Sequence, residues 1–208
     1  MTAQPTYRPT PAATAALLGA AITGVGAGAL TAYLQGVLSE NWNTIANSGA
    51  VWTVVAFAAA LVFGRSRFSA GLSGTLVLVG EVAGYYAYVA DVRHLPVLHA
   101  AELLWTLAAL WVGPLAGLAA WAVRWGRPDQ RSIALAAMAG VVAGEGCYLI
   151  RVAAVPRSGW VEVVIAVAGA AVTLVALPAA VRARVTALGV GLFVTAAVYL
   201  AYSQPLIA

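Results

Sequence analysis

The chain has 208 residues, of which 62% are hydrophobic and only 9% are charged, and its formal net charge is +4. An ordinary soluble domain carries about 25% charged residues, so this composition argues against a soluble protein and indicates an integral membrane protein. All eleven basic residues are arginine, and the net charge comes from short loops, so it indicates membrane orientation and not binding to nucleic acid.

Seven apolar segments are long enough to cross a hydrocarbon core of about 30 Å, which takes about 20 helical residues. Nothing in the chain has the alternating pattern of a transmembrane barrel strand, so we expect these segments to be helices. The sequence predicts an all-α, polytopic bundle of seven transmembrane helices, with a polar tail (1–12) before a single transmembrane domain (13–208). The predicted spans are 13–38, 48–64, 69–90, 99–123, 132–152, 160–181 and 185–203.

The distribution of arginine predicts the orientation of the bundle. With the N-terminus inside, eight arginines lie on the cytoplasmic side and three lie outside, which favours an internal N-terminus and an external C-terminus. We expect the protein in the cytoplasmic (inner) membrane of a bacterium. The eight are Arg8, Arg65, Arg67, Arg124, Arg127, Arg131, Arg182 and Arg184, and the three are Arg93, Arg151 and Arg157.

Pairs of glycine at GxxxG spacing recur in four of the predicted spans. This spacing allows two helix backbones to approach closely in a membrane, where no hydrophobic force drives helices together. We therefore expect tight helix packing at Gly24 and Gly28, Gly80 and Gly84, Gly113 and Gly117, and Gly140 and Gly144.

Two glutamates lie near the middle of predicted spans, Glu81 in the third and Glu145 in the fifth. A charged carboxyl that faces lipid at this depth costs about 2.5 kcal/mol or more, so each should face the interior of the bundle. Desolvation disfavours the charged form, and two acids in one site disfavour it further, so at least one is expected to be a neutral acid. The alternative interpretation is that each glutamate forms an interhelical hydrogen bond that only fixes packing.

Tyrosines accompany both glutamates on the same helix faces. Glu81, Tyr85 and Tyr88 stand at i, i+4 and i+7 of the third span, and Tyr148 follows Glu145 at i+3 of the fifth. This pattern predicts two acids and several phenols around one interior space. Glu81, Glu145, Tyr85 and Tyr148 are the candidate catalytic residues.

Further aromatic and polar residues are candidates for substrate binding. Trp52, Trp105 and Trp111 are placed to join the lining from the second and fourth spans, Tyr88 lies on the face of Glu81, and Asn47 lies at the outer mouth. Such walls suit a substrate that becomes cationic, because aromatic faces stabilise cations by about 0.5–2 kcal/mol each.

The outer mouth also carries a polar cluster between the third and fourth spans, which includes His94, His99 and Glu102. Its spacing matches neither HExxH nor another paired-ligand motif, so we predict no metal site and no cofactor. A polar rim for substrate entry, or simply solvated loops, explains it better.

The segments NSGAVWTVVAF (47–57), GYY (84–86), GPLAG (113–117) and GVVAGEG (140–146) resemble a family of small multi-span actinobacterial membrane proteins of unassigned function. The chain is also similar to the small integral-membrane terpene cyclases of meroterpenoid and indole-terpenoid pathways. That resemblance implies seven spans, no required metal and an intramembrane acid followed three residues later by tyrosine. Glu145 and Tyr148 match the motif, whereas Glu81 departs from it because its tyrosine follows at four residues.

Two functions of different classes follow from these features. The first is a membrane-embedded terpene cyclase that takes a lipophilic, prenylated substrate from the bilayer, protonates its olefin or epoxide and guides the carbocation along aromatic faces. The second is a transporter, either proton-coupled or a substrate-binding membrane subunit, in which the same glutamates bind a proton or a cationic solute. A structural partner is a third alternative. Assembly into a homo-oligomer is possible in each case.

Overall fold

The computed structural model of the chain describes residues 11–152, 160–161, 163–164, 167 and 181–204. All regular structure in these residues is helical, so the predicted all-α class is confirmed. The helices, numbered in chain order, are α1 (Pro11–Val37), α2 (Glu40–Ala46), α3 (Gly49–Phe63), α4 (Arg67–Asp91), α5 (His99–Trp125), α6 (Pro128–Val152) and α7 (Val181–Tyr202).

Five of these helices, α1, α4, α5, α6 and α7, are long and apolar enough to cross a membrane. Their bounds lie within about four residues of the predicted spans, which is the usual uncertainty of helix ends. The predicted second span corresponds to α3, an apolar helix of 15 residues that is shorter than the other five. The predicted sixth span (160–181) lies largely outside the described residues.

Glycine sets the closest helix contacts, as the GxxxG spacing predicted. A Cβ atom at Gly24 or Gly28 of α1 would overlap the backbone of Val77 or Glu81 in α4, and one at Gly84 would overlap the backbone of α1. Gly113 and Gly117 of α5 pack in the same way against α4, and Gly140 and Gly144 of α6 pack against α7. The order of these contacts along the chain makes the α1/α4 and α6/α7 pairs parallel and the α4/α5 pair antiparallel.

The short helix α3 lies among the long helices and contacts α1, α4, α5 and α6. Ser48 defines its start: the backbone of Ser48 is extended, and its hydroxyl accepts a hydrogen bond from the N–H of Val51 at 3.1 Å. Ser48 is only 1% exposed. The N-terminus of α3 is therefore buried in the bundle, where its free N–H groups need partners from the protein itself.

Candidate functional site

An apolar cavity of about 220 Å³ lies between α3, α4, α5, α6 and α7. Its walls are made of small aliphatic residues and a few rings, which leaves room because alanine, glycine and valine fill less volume than leucine or phenylalanine. The lining residues that matter below are Gly49, Ala50, Trp52, Thr53, Trp105 and Tyr202. Such a space suits an apolar molecule, since polar walls are nearly absent.

A second cavity of about 70 Å³ adjoins the first, because Gly49, Trp52 and Trp105 line both. Its other lining residues are Asn47, Tyr85 and Tyr86. The ring of Tyr85 contacts Trp52, with ring centroids 5.8 Å apart, and Tyr86, with centroids 5.1 Å apart. The two cavities thus form one aromatic-walled region at the N-terminal end of α3.

Glu145 is 4% exposed and binds the N-terminus of α3. Its Oε2 atom accepts hydrogen bonds from the Ser48 hydroxyl at 2.7 Å and from the N–H of Ala50 at 2.6 Å, and its Oε1 atom accepts one from the N–H of Gly49 at 3.2 Å. The carboxyl therefore satisfies two of the free N–H groups at the start of α3. The first role of Glu145 is to join α6 to α3.

Tyr202, on the last turn of α7, completes this arrangement. Its hydroxyl is a further hydrogen-bond partner of the Glu145 carboxyl, and a Cβ atom at Gly49 would overlap this hydroxyl. Tyr148 packs against Tyr202, with ring centroids 5.4 Å apart. Because Gly49, Ala50 and Tyr202 also line the larger cavity, Glu145 lies directly behind the cavity wall.

Glu81 has a different environment, although it is 1% exposed. Its Oε2 atom has no hydrogen-bond partner, and no ion pair within the described part of the chain involves it. Leu78 and Val82, its neighbours on α4, line the larger cavity, but Glu81 itself does not. The backbone of α1 at Gly28 packs against the backbone of Glu81. The two glutamates have no hydrogen-bond partner in common among the described residues.

The remaining predicted site residues fall into two groups. Trp52, Trp105, Tyr85 and Asn47 lie together around the cavities. Trp111 and Tyr88 line neither cavity, and Trp111 is 78% exposed. Tyr85 turns its hydroxyl to Gln35 of α1, where it donates a hydrogen bond at 2.8 Å, and not to Glu81.

Sequence reasoning missed three residues of this region: Ser48, Tyr202 and Tyr86. Ser48 carried a usable signal, because serine directly before an apolar run predicts a helix N-cap. Tyr202 lies at the end of the last span, 57 positions after Glu145, and nothing local indicates that α6 and α7 are neighbours. Tyr86 follows Tyr85 but falls outside the helix face of Glu81, so its spacing gives no signal.

In the polar cluster between α4 and α5, His99 Nδ1 lies 3.4 Å from Glu102 Oε2, a contact that is an ion pair only when the imidazole is protonated. Among the residues that the structure describes, no three His, Cys, Asp or Glu side chains are grouped closely enough to hold a metal ion. The cluster contributes no chemistry to the proposals below.

Comparison with models of known protein families gives a match over most of the chain. The family model DUF6518, described as a family of unknown function, matches residues 7–208. The chain belongs to the DUF6518 family. This confirms the expected membership of a family without an assigned function. No curated protein and no solved structure gives a significant match.

Proposed function

We propose that this member of the DUF6518 family is a membrane-embedded, metal-independent terpene cyclase. The observation that carries the proposal is the apolar cavity whose wall residues Gly49, Ala50 and Tyr202 also hold the buried Glu145 carboxyl. A buried acid, an apolar space and aromatic walls are what an acid-initiated cyclisation needs. The spacing of Glu145 and Tyr148, a buried acid followed three residues later by tyrosine, motivates the same proposal, although no curated protein gives a significant match.

The proposed setting is a bundle of seven transmembrane helices in the cytoplasmic membrane of a bacterium, with the N-terminus inside. The lipophilic substrate enters from the bilayer. The larger cavity, about 220 Å³, is smaller than the roughly 300–1,000 Å³ of pockets that enclose a drug-sized molecule. We therefore assign it to the reacting end of a prenylated substrate, with the rest of the molecule extending toward the smaller cavity or the lipid.

In the proposed reaction, Glu145 starts as a neutral acid whose O–H donates to the Tyr202 oxygen. The Tyr202 hydroxyl gives its proton to one carbon of a substrate double bond, while Glu145 passes its own proton to the phenol oxygen and becomes a carboxylate. The π electron pair forms the new C–H bond and leaves a carbocation on the neighbouring carbon. If the substrate is an epoxide, the proton goes to its oxygen and a C–O bond breaks instead.

A second double bond then attacks the cation and closes a ring, and the faces of Trp52 and Trp105 stabilise the charge by about 0.5–2 kcal/mol each. The last cation loses a proton from an adjacent carbon, and this proton returns through Tyr202 to the Glu145 carboxylate. The product is an isomer of the substrate, and no co-reactant is consumed.

The test compares two tyrosine variants of α7. Tyr202→Phe removes the hydroxyl beside Glu145 and keeps the ring, so we expect turnover of a farnesylated or geranylgeranylated aromatic substrate to fall about 10²- to 10⁴-fold. Tyr199→Phe, one turn earlier, is the matched control, because Tyr199 contacts Arg151 and does not line the cavity. The assay uses purified protein in detergent without metal or nucleotide. Equal turnover in both variants would show that Tyr202 does not pass a proton from Glu145 to the substrate.

One observation favours a second candidate function, a proton-coupled transporter. Glu81 is buried without a hydrogen-bond partner at Oε2, and α3 begins inside the bundle at the cavity. Buried carboxyls that bind protons and helices that start within the membrane are both recurring parts of secondary transporters. In this alternative, Glu81 carries the proton and the cavity carries the solute.

The same set of variants separates the two candidates. A transporter takes up solute into proteoliposomes under a proton gradient, and Glu81→Gln abolishes this dependence, while Tyr202→Phe leaves it in place. In a cyclase, Tyr202→Phe lowers turnover, and turnover needs no proton gradient. Gradient-independent turnover that survives in detergent excludes the transporter as the main function.

A further inference from the structure

We propose that Trp52 is the polar anchor of the cavity and that its indole N–H donates a hydrogen bond to an oxygen atom of the bound molecule. The substrate is then an apolar molecule that carries a carbonyl, ether or epoxide oxygen, and not a pure hydrocarbon. This inference rests on the proposed function, because it takes the larger cavity as the substrate site.

An unpaired indole donor on a residue that lines both cavities is the first line of support. In the described part of the chain, three buried side-chain atoms lack a hydrogen-bond partner: Trp52 Nε1, Ser73 Oγ and Glu81 Oε2. Of these three residues, Trp52 alone lines a cavity, and it lines both. An indole nitrogen donates and cannot accept, so the missing partner must be an acceptor.

Three of the hydroxyls around the two cavities already have partners. The hydroxyl of Thr53 donates to the carbonyl of Gly49 at 2.8 Å, and that of Tyr85 donates to Gln35 at 2.8 Å. The Tyr202 hydroxyl is bound to Glu145. A ligand oxygen that binds at Trp52 therefore breaks no hydrogen bond within the protein, whereas one that binds at these hydroxyls must compete with an existing bond.

The position of Trp52 is fixed from two sides. It lies on the first turn of α3, two positions after Ala50, which Glu145 binds, and its ring packs on Tyr85 at an interplanar angle of 57°. A donor held in this way loses little freedom when a ligand binds. Because the N–H is covered by protein atoms in the empty site, we expect the indole to shift slightly when the oxygen binds.

The experiment uses two probes of the same shape, acetophenone and α-methylstyrene, in which a carbonyl oxygen replaces a methylene group. The full chain is purified in detergent with ¹⁵N-labelled tryptophan, and the Trp52 indole cross-peak is assigned by its absence in Trp52→Phe. We expect acetophenone to move this cross-peak. We also compare the two proteins by the affinity for acetophenone divided by the affinity for α-methylstyrene. We expect this ratio to be roughly three- to tenfold higher in the wild type than in Trp52→Phe.

Comparing each probe with itself in the variant cancels its partition into the detergent. Trp105→Phe is the matched control, since Trp105 lines the same two cavities, and it should keep the preference. Equal preference in the wild type and Trp52→Phe, or binding of neither probe, would overturn the inference. If the protein has no cyclase activity but still prefers acetophenone through Trp52, the inference about Trp52 stands and the proposed cyclase function fails. The experiment therefore distinguishes the failure of one proposal from that of the other.

Discussion

The two buried glutamates look alike in the sequence, since each follows a glycine and precedes tyrosines on its own helix face. Both are buried, as the cost of a carboxyl in lipid predicted. Their partners differ, because Glu145 meets Ser48 from a helix 97 positions away and Glu81 leaves one oxygen without a partner. Local spacing predicted the burial but not the partners, which depend on how each helix is rotated against its neighbours.

This difference gives a prediction for stability at the residue scale. In Glu145→Gln, an NH₂ group replaces one of two oxygens that both accept hydrogen bonds, so a donor must face a donor at the start of α3. We expect a loss of about 1–3 kcal/mol in the free energy of unfolding. Denaturation of the purified protein in mixed micelles measures it.

Glu81→Gln is the comparison for that measurement. Glu81 Oε2 has no hydrogen-bond partner in the part of the chain that the structure describes. An amide at this position therefore breaks no hydrogen bond there, and we expect a change within about 1 kcal/mol in the free energy of unfolding. A larger loss in Glu81→Gln than in Glu145→Gln would show that the capping role of Glu145 is wrong.

At the scale of helices, the sequence was most informative about where the backbones meet. All four GxxxG pairs lie at helix contacts, because in each case a side chain larger than hydrogen would collide with the facing helix. The helix bounds were predicted nearly as well, since long apolar runs end at Arg, Pro or Gly. What the pattern left open was which helices pair, and therefore which residues form the cavity.

Two glycines of α1 provide a test of this packing. A Cβ atom at Gly28 would overlap the backbone of Glu81, whereas one at Gly26 meets nothing within 4 Å. We expect Gly28→Ala to destabilise the protein by about 1–3 kcal/mol through overpacking. Gly26→Ala should be neutral or stabilising by up to about 1 kcal/mol, because alanine favours helix. Thermal unfolding of the two variants measures the difference in their midpoint temperatures. Equal midpoints would contradict the α1/α4 contact.

For the whole molecule, composition predicted an all-α protein with long apolar helices, and the structure agrees. The orientation stays a prediction. Arginine side chains stack on tryptophan rings at one end of the bundle. The guanidinium carbon of Arg67 lies 4.4 Å from the ring centroid of Trp121, and that of Arg124 lies 5.0 Å from that of Trp125. Tryptophan is enriched at both membrane boundaries and arginine at the cytoplasmic one, so this end is the one that we predict to be cytoplasmic.

Cysteine labelling tests the orientation, because Cys147 is the single cysteine of the chain. In a Cys147→Ser background, Leu98→Cys lies at the predicted outer end and Asp129→Cys at the predicted inner end, and both positions are exposed. We expect a membrane-impermeant maleimide to label intact cells only at position 98. Labelling at position 129 alone would reverse the topology.

The bond between Ser48 and Glu145 also has a consequence for biosynthesis. The ribosome makes Ser48 first and Glu145 97 positions later, which at about 5–20 residues per second is an interval of roughly 5–20 s. During that interval the first turn of α3 has no carboxyl to bind, so a nascent chain that stops before α6 should be a ready target for membrane quality-control proteases.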